Sequence, residues 1–166
     1  MKWETMDKIN SLLSGYNHNS YWKMRFALYR TNLLKPLRYL FLFRCKRMEA
    51  KNCAALGIRL NGGSFFADKP ILPHGIKGIF IAPYAKIGKN VTIYHQVSIA
   101  IRYPNDKIAP CIGDNVLIGA GAKIIGPIKV GNNVKIGANA VVAKDVPDNC
   151  TVVGNPAKII PNHQNI

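Results

Sequence analysis

Histidine is the residue in this sequence best suited to acid–base chemistry, because a neutral imidazole can take a proton from a hydroxyl near physiological pH. The chain has four histidines, and two of them fall between residues 57 and 160, within or just before its repetitive part. These are His74, in Leu72-Pro73-His74-Gly75, and His95, in Ile93-Tyr94-His95-Gln96. A histidine beside a turn usually does no more than hydrogen-bond, and a hydratase-type zinc site would need about three that converge. Residue type and spacing therefore leave open whether either histidine is a general base or only a hydrogen-bonding residue, and they predict no metal site.

The four cysteines form no recognisable metal or disulfide motif. They are widely and irregularly spaced, without a Cys-x-x-Cys pair, so neither a zinc ribbon nor a disulfide framework fits: Cys45, Cys53, Cys111 and Cys150. Isolated cysteines of this kind are typical of small buried or half-buried residues in a reducing cytoplasm. We therefore expect free thiols and a cytoplasmic location.

The elements that position these residues are indicated by a strict six-residue repeat between Ile112 and Pro147. An aliphatic residue returns every sixth position: Ile112, Ile118, Ile124, Val130, Ile136 and Val142. Six matches neither the helical period of about 3.6 nor the strand period of 2. A repeat this short, with glycine after most of the aliphatic residues, predicts the rungs of a parallel β-helix, three rungs to each triangular turn.

The repeat is interrupted between about Ala100 and Cys111. A clean rhythm runs from Ile81 to Ile99, and the next rung starts at Ile112, thirteen residues on, where an unbroken period gives twelve. The intervening segment is polar and contains proline, so we expect a loop that leaves the coil and contributes to a binding site.

Residues 1–56 lack the repeat and predict a helical cap rich in basic and aromatic residues. Thr5 is expected to cap a helix that continues to Leu13, Ser20 to cap a second, and Pro36 to lie in the first turn of a third. The net charge of the chain is +15, and residues 1–60 carry 12 Lys or Arg against 3 acidic residues. The cap either covers the open end of the coil and contacts other subunits, or binds an anionic membrane surface or phosphorylated substrate. Without a recognised motif, the charge does not indicate nucleic-acid binding.

The expected organisation is thus a cap over residues 1–56, a β-helix over 57–160 with its loop near 100–111, and a flexible tail over 161–166. No segment is long and apolar enough to span a bilayer, and the N-terminus lacks the apolar stretch of a signal peptide. We expect the protein in the cytoplasm, with contact at the inner membrane surface left open.

With these motifs in place, the chain resembles the hexapeptide-repeat acyltransferases, and within them the serine acetyltransferase-like branch that includes enzymes acetylating polysaccharide sugars. The resemblance covers roughly residues 57–160. Its most specific parts are Leu72-Pro73-His74-Gly75, the run from Ile112 to Ile124, and Gly154-Asn155-Pro156-Ala157-Lys158. It implies a mainly β fold, a left-handed parallel β-helix with a small helical cap. It also implies a homotrimer with acetyl-CoA in the groove between neighbouring subunits.

The resemblance also implies roles for individual residues. His74 matches the family's catalytic histidine, the general base that removes the acceptor's hydroxyl proton. The cofactor-binding positions are matched by small residues on successive coils and by two lysines suited to the phosphates of CoA: Ala120, Gly121, Ala138, Lys144 and Lys158. His95 is the competing candidate and could touch the acceptor. No role is assigned to His18 or His163.

The acceptor is where this sequence departs from the serine-specific members. Arg59 replaces the acidic residue that orients their catalytic histidine, and Ile108-Ala109 replaces an Arg-His pair before Pro110. Asp68 is a candidate substitute for the missing acid. An amino-acid site should offer a fixed charge to its ligand, whereas a sugar hydroxyl makes no such demand. We therefore expect acetyl transfer to a sugar or glycan precursor, with serine as the alternative acceptor and a non-catalytic assembly or membrane-associated scaffold as the alternative from another class.

Overall fold

The structure is a computed structural model that describes residues 15–30, 34–59, 62–102 and 108–162. The predicted helix from Thr5 to Leu13, the centre of the predicted loop and most of the predicted tail lie outside these ranges. Among the described helices, none is long and apolar enough to cross a membrane.

Two helices, α1 (His18–Arg30) and α2 (Lys35–Lys51), precede the β-structure. The prediction that Ser20 caps the first of them is wrong, because the Asn17 side chain accepts the Ser20 backbone N–H at 2.8 Å and the helix already begins at His18. Asparagine is at least as good an N-cap as serine, and its reach to the third helical residue is the usual capping geometry. Pro36 lies in the first turn of α2, as predicted.

The remaining elements are short strands, most of them in parallel sheets, which confirms the mainly β fold with few helices. Their bounds are β1 (Ile58–Arg59), β2 (Gly62–Gly63), β3 (Phe65–Phe66), β4 (Phe80–Ile81), β5 (Lys86–Ile87), β6 (Thr92–Ile93), β7 (Ser98–Ala100), β8 (Cys111–Ile112), β9 (Leu117–Ile118), β10 (Lys123–Ile125), β11 (Lys129–Val130), β12 (Lys135–Ile136), β13 (Val141–Val142), β14 (Cys150–Val153) and β15 (Lys158–Pro161).

From β4 onward, successive strands belong to three sheets in rotation. The first sheet contains β4, β7, β10 and β13, the second β3, β5, β8 and β11, and the third β6, β9, β12, β14 and the antiparallel β15. Between β4 and β13, strands that are neighbours in a sheet are therefore three strands apart along the chain. This is a three-sided parallel coil, as the six-residue repeat predicts.

The aliphatic residues of the repeat stack in register inside this coil. Ile124 pairs with Ile99 and Val142, and Ile118 pairs with Ile93 and Ile136. All six side chains are buried, whereas the residue before each of them is less so. Each coil thus adds three aliphatic side chains to one continuous apolar column, which supplies the core.

The register also measures the interruption of the repeat. Ile124 pairs with Val142, 18 positions on, whereas Ile99 pairs with Ile124, 25 positions on. Seven residues are therefore inserted between β7 and β8, which occupy consecutive sides of the coil. The thirteen residues from Ile99 to Ile112 are close to twelve, the length of two rungs, so the sequence suggested two rungs. The structure has one rung of six residues there and seven inserted residues.

The coil also begins earlier than the clean rhythm at Ile81. Phe66 pairs with Ile87, and isolated bridges join Ala55 to Phe80 and Ile71 to Thr92. Phe66 lies 21 positions before its partner, so this first, irregular coil is too long to show the repeat in its sequence.

A buried polar cluster joins the helices to this first coil. The Arg25 guanidinium donates to the Ser64 carbonyl at 3.0 Å, to the Ser64 hydroxyl at 2.7 Å and to the Tyr21 hydroxyl at 3.3 Å. Tyr21 in turn donates to the Glu49 carboxylate at 2.6 Å. Arg25 and Glu49 are only 1% and 2% exposed. Because buried charges are stable only when paired and hydrogen-bonded, this cluster fixes how α1 and α2 dock on the coil.

Asparagines line the corner between the second and third sheets. One residue per coil adopts the left-handed conformation there, with φ between 51° and 57°: Asn90, Asn115, Asn133 and Asn149. Each of the first three side-chain amides donates to the next amide along the row, at 2.9 to 3.1 Å. Asparagine tolerates this conformation better than other residues with a Cβ, and the row satisfies its own polar groups.

Candidate active site

The two histidines of the repetitive region meet at one corner of the coil. The Nδ1 atoms of His74 and His95 are 2.6 Å apart, and their ring centroids are 4.7 Å apart with an angle of 45° between the planes. The His74 and Tyr94 rings pack edge to face, with their centroids 5.6 Å apart. Residues 21 positions apart in sequence thus form a hydrogen-bonded imidazole pair.

This corner lies between the third and first sheets, and we call it the histidine corner. The chain passes through it from Ile71 to β4, from β6 to β7, from β9 to β10 and from β12 to β13. His74 belongs to the first passage and His95 to the second. The periodicity alone could not pair them, because the first passage precedes the regular rungs.

The backbones of the two histidines are held to different degrees. The His95 carbonyl accepts the Gly121 N–H at 3.0 Å, and the following residue, Gln96, donates its N–H to Lys77 at 3.1 Å. His95 is half-buried, whereas His74 is exposed in a turn where Gly75 donates back to Leu72 at 3.0 Å. His95 is thus part of the regular coil, and His74 contacts it from a loop.

The small residues predicted to bind CoA stack below the pair on the same corner. Gly121 donates to His95, and Asn139 donates to the Ala120 carbonyl at 2.9 Å, which places Ala138 one coil further along. A Cβ at Gly121 would force the Asn139 side chain to move, and the φ of Gly121 is +72°, a conformation that favours glycine. The structure brings His74, His95, Ala120, Gly121 and Ala138 together along one edge of the coil.

The lysines predicted to bind CoA lie at different places. Lys158 pairs with Val153 on the edge of the third sheet, next to the end of the histidine corner. Lys144 follows β13, on the corner between the first and second sheets. Sequence reasoning missed Lys123, whose Nζ donates to the Gln96 carbonyl at 2.9 Å. Its position at the start of β10, one coil below Ser98, is the signal that could have found it.

No carboxylate contacts the histidine pair within the described part of the chain, where Lys46–Glu49 is the salt bridge found. Asp68 is exposed, and its Oδ1 accepts the backbone N–H of Lys69 at 2.7 Å. The Arg59 guanidinium lies over the Tyr84 ring at 5.8 Å. The described residues also include no group of three or more His, Cys, Asp or Glu side chains that could hold a metal ion.

A buried tyrosine from the segment before α1 backs the turn that carries His74. A Cβ at Gly75 would lie 3.4 Å from the Tyr16 ring, and the Tyr16 hydroxyl is 2.9 Å from Nδ1 of His18. Burial raises the pKa of Tyr16 well above its usual value, so its hydroxyl stays protonated. The segment before α1 thereby packs against the turn that carries His74.

Chemically, the corner offers an imidazole pair, of which His74 is exposed, and a wall of small residues. A bare imidazole nitrogen can remove a hydroxyl proton, and small residues leave the backbone open to an extended ligand. The arrangement suits proton abstraction from an alcohol beside a bound acyl donor.

Comparison with known proteins agrees with this fold and this chemistry. Residues 112–144 match the family "Bacterial transferase hexapeptide (six repeats)". The chain is 41% identical over 109 residues to a serine acetyltransferase of Mycobacterium tuberculosis, which covers 65% of this chain and 47% of that protein. It is 45% identical over 105 residues to a serine acetyltransferase of Staphylococcus aureus, covering 63% of this chain and 49% of that one. The chain thus spans about half the length of the curated relatives it matches.

Solved structures give the same result over more of the chain. The serine acetyltransferase of Brucella abortus superposes with a TM-score of 0.69 at 27% identity, covering 87% of this chain and 55% of that one. A serine acetyltransferase in complex with CoA superposes with a TM-score of 0.67 at 26% identity, covering 89% of this chain and 57% of that one. The chain thus contains hexapeptide transferase repeats and is similar in sequence and fold to serine acetyltransferases.

Proposed function

We propose that this protein is an O-acetyltransferase that moves an acetyl group from acetyl-CoA to a hydroxyl, with His74 as the general base. The observation that carries the proposal is the histidine corner, where His74 shares one edge with the small residues Ala120, Gly121 and Ala138. Proton removal and an open wall for the thioester donor are the two things this reaction needs.

The reaction follows from the chemistry of a thioester. A bare nitrogen of His74 takes the hydroxyl proton while the oxygen attacks the thioester carbonyl, and backbone N–H groups at the coil corners stabilise the oxyanion. The C–S bond then breaks, and the imidazolium returns the proton to the departing thiolate. The products are an acetyl ester and CoA thiol, and no covalent intermediate with the protein is needed.

Acetyl-CoA is proposed to lie along the histidine corner, with its pantetheine arm on Ala120, Gly121 and Ala138. Lys158 sits next to the end of this corner and suits the phosphates. Lys144 lies on another corner of the same chain, so its contribution requires the groove between two subunits. A left-handed coil and a homotrimer, as the family resemblance implies, would supply such grooves. We place the enzyme in the cytoplasm, where acetyl-CoA is available.

For the acceptor, the named relatives favour serine over the sugar that the sequence suggested, since the relatives described above are called serine acetyltransferases. Serine is therefore the first candidate. A sugar or glycan precursor is the second, and Arg59 and Ile108-Ala109 favour it, because they withhold the charges used by serine-specific members. Ala109 is buried and Ile108 is half exposed, so neither offers a polar group to an amino acid.

The test is release of CoA thiol from acetyl-CoA, measured with serine and a panel of sugars and nucleotide sugars side by side. We expect one acceptor to give turnover, and His74→Ala to reduce it by about 100-fold or more. His163→Ala is the matched control, a histidine with no assigned role, and should leave turnover unchanged. Full activity of His74→Ala would refute the assignment of the base. Absence of both thiol release and CoA binding would favour the scaffold alternative.

A further inference from the structure

His95 contacts His74 through a hydrogen bond that constrains where protons can sit. The two Nδ1 atoms are 2.6 Å apart, so one must carry a hydrogen and the other must accept it. Each neutral imidazole has a single N–H. One ring of the pair is therefore protonated on Nδ1 and has a bare Nε2, while the other is protonated on Nε2.

We propose that His95 is a positioning residue that accepts the Nδ1–H of His74 and so keeps Nε2 of His74 bare and basic. This proposal rests on the proposed acetyl transfer, in which His74 takes the acceptor's proton. Which nitrogen of a histidine is free is set by the hydrogen bond that the other nitrogen makes. A neutral imidazole would thus do here what an orienting carboxylate does in other histidine-dependent enzymes.

The two residues are held to different degrees, which suits His95 as the fixed partner of the pair. The His95 backbone is fixed on both sides, by Gly121 and through Gln96, and its side chain is half-buried. His74 sits in an exposed turn, and its described side-chain contacts are the His95 ring and the Tyr94 ring. A residue held by a regular element is well placed to position an exposed one on a turn.

The other charged and titratable groups nearby do not provide this contact. The Lys123 Nζ donates to the Gln96 carbonyl, and Lys77 is exposed on the turn that carries His74. Tyr94 meets His74 through its ring, and the Tyr16 hydroxyl points to His18. Asp68 holds the Lys69 N–H. Within the described residues, His95 is thus the group that hydrogen-bonds His74 Nδ1.

During the reaction the same contact stabilises charge. When Nε2 of His74 takes the hydroxyl proton, the ring becomes an imidazolium whose Nδ1–H is still donated to His95. The proton leaves again with the thiolate, so His95 gains and loses none. A hydrogen bond to a charged group of this kind changes a rate by about 10- to 100-fold.

The test compares His95→Phe, which keeps a ring but has no acceptor, with His95→Asn, whose Oδ1 falls near the position of Nδ1. We expect His95→Phe to lower kcat by about 10- to 100-fold with the KM for acetyl-CoA within about twofold, and His95→Asn to recover most of the loss. An unchanged kcat in His95→Phe would overturn the proposal. So would a raised KM for the acceptor alone, which would make His95 an acceptor contact.

A second measurement does not depend on catalysis. Nitrogen-15 NMR of the histidine rings in the whole protein reports which nitrogen carries the proton, with His74→Ala and His95→Phe assigning the signals. We expect Nδ1–H on His74 and Nε2–H on His95 in the native protein, and loss of this preference at His74 in His95→Phe. Nε2–H on His74, or no change in His95→Phe, would overturn the proposal even if the enzyme is active. Conversely, the expected spectra with no thiol release would refute the acetyl transfer and leave the pairing intact.

Discussion

Replacement of Arg25 by methionine tests whether the buried polar cluster holds the helical cap on the coil. Arg25 is 1% exposed and gives two short hydrogen bonds to Ser64, at 3.0 and 2.7 Å, and a longer one to Tyr21 at 3.3 Å. Its guanidinium also lies over the Phe66 ring at 4.8 Å. Methionine keeps most of the packing and removes every donor and the charge.

The expected loss is about 3 kcal/mol of unfolding free energy. Hydrogen bonds from a charged donor contribute about 1.5–3 kcal/mol each, which gives roughly 3–6 kcal/mol for the two bonds to Ser64. The substitution also removes the cost of burying the charged guanidinium on folding, which offsets part of this loss. Against this, Glu49 stays buried with less positive charge near it, and among the described residues Lys46, at 3.0 Å, is the cation that remains paired with it.

The assay is urea unfolding followed by circular dichroism at one fixed protein concentration, because oligomers gain stability with concentration. With a slope of about 2 kcal/mol per molar urea, Arg25→Met should lower the midpoint by roughly 1.5 M. Lys23→Met is the matched control, the same loss of charge at an exposed position of the same helix, and should change stability by about 0.5 kcal/mol or less.

Glu49→Gln completes a double-mutant cycle. If Arg25 offsets the buried charge of Glu49, the double variant should lose at least about 0.5 kcal/mol less than the sum of the two single losses. A loss below about 1 kcal/mol in Arg25→Met would refute the reasoning. Strict additivity would show that the cluster is only a set of separate hydrogen bonds.

Three further predictions concern the histidine corner and the cysteines. Gly121→Ala should cost about 2–3 kcal/mol in urea unfolding, because its Cβ collides with Asn139 at φ +72°, whereas Gly154→Ala, at φ +91° with its nearest contact at 3.5 Å, should lose about 1 kcal/mol. Iodoacetamide at pH 8 should alkylate the exposed Cys53 and spare the buried Cys45, whose pKa burial raises to about 12, and peptide mass spectrometry would detect the opposite. Because burial raises the pKa of Cys45 in the folded protein, the protonated thiol stabilises the fold fully below about pH 9, and this stabilisation is lost progressively above that pH. The stability advantage of the wild type over Cys45→Ala should therefore shrink by about 1.4 kcal/mol from pH 7 to pH 10. A constant difference would contradict this.

Much of the fold could be predicted because the repeat is short and strict. The aliphatic residues that return every six positions must be buried against one another. Stacked coils in which all of them face inward are the arrangement that buries them. The first coil escaped the prediction because Phe66 and Ile87 are 21 positions apart, and the helix start was misassigned because Asn17 and Ser20 are both good caps. Local propensity cannot choose between two such residues, whereas the hydrogen bond does.

The candidate site was only partly predictable. The family motif around Leu72-Pro73-His74-Gly75 pointed to His74, and the glycine and alanine positions pointed to the wall below it. The contact between His74 and His95 was not predicted, nor was the bond from Lys123 to the Gln96 carbonyl. Both depend on an irregular turn and on side-chain directions, which the period does not determine.

The sequence by itself determined that the chain coils and which residues face inward, since a period of six with buried aliphatic residues leaves few other structures. The tertiary structure alone decided what meets at the corners. His95, Gly121 and Ala138 are 21, 47 and 64 positions from His74, and they lie along the same corner because the coils stack and hydrogen bonds between coils fix their heights. The chemistry proposed here therefore depends on the distance between His74 and His95, which a one-dimensional pattern cannot encode.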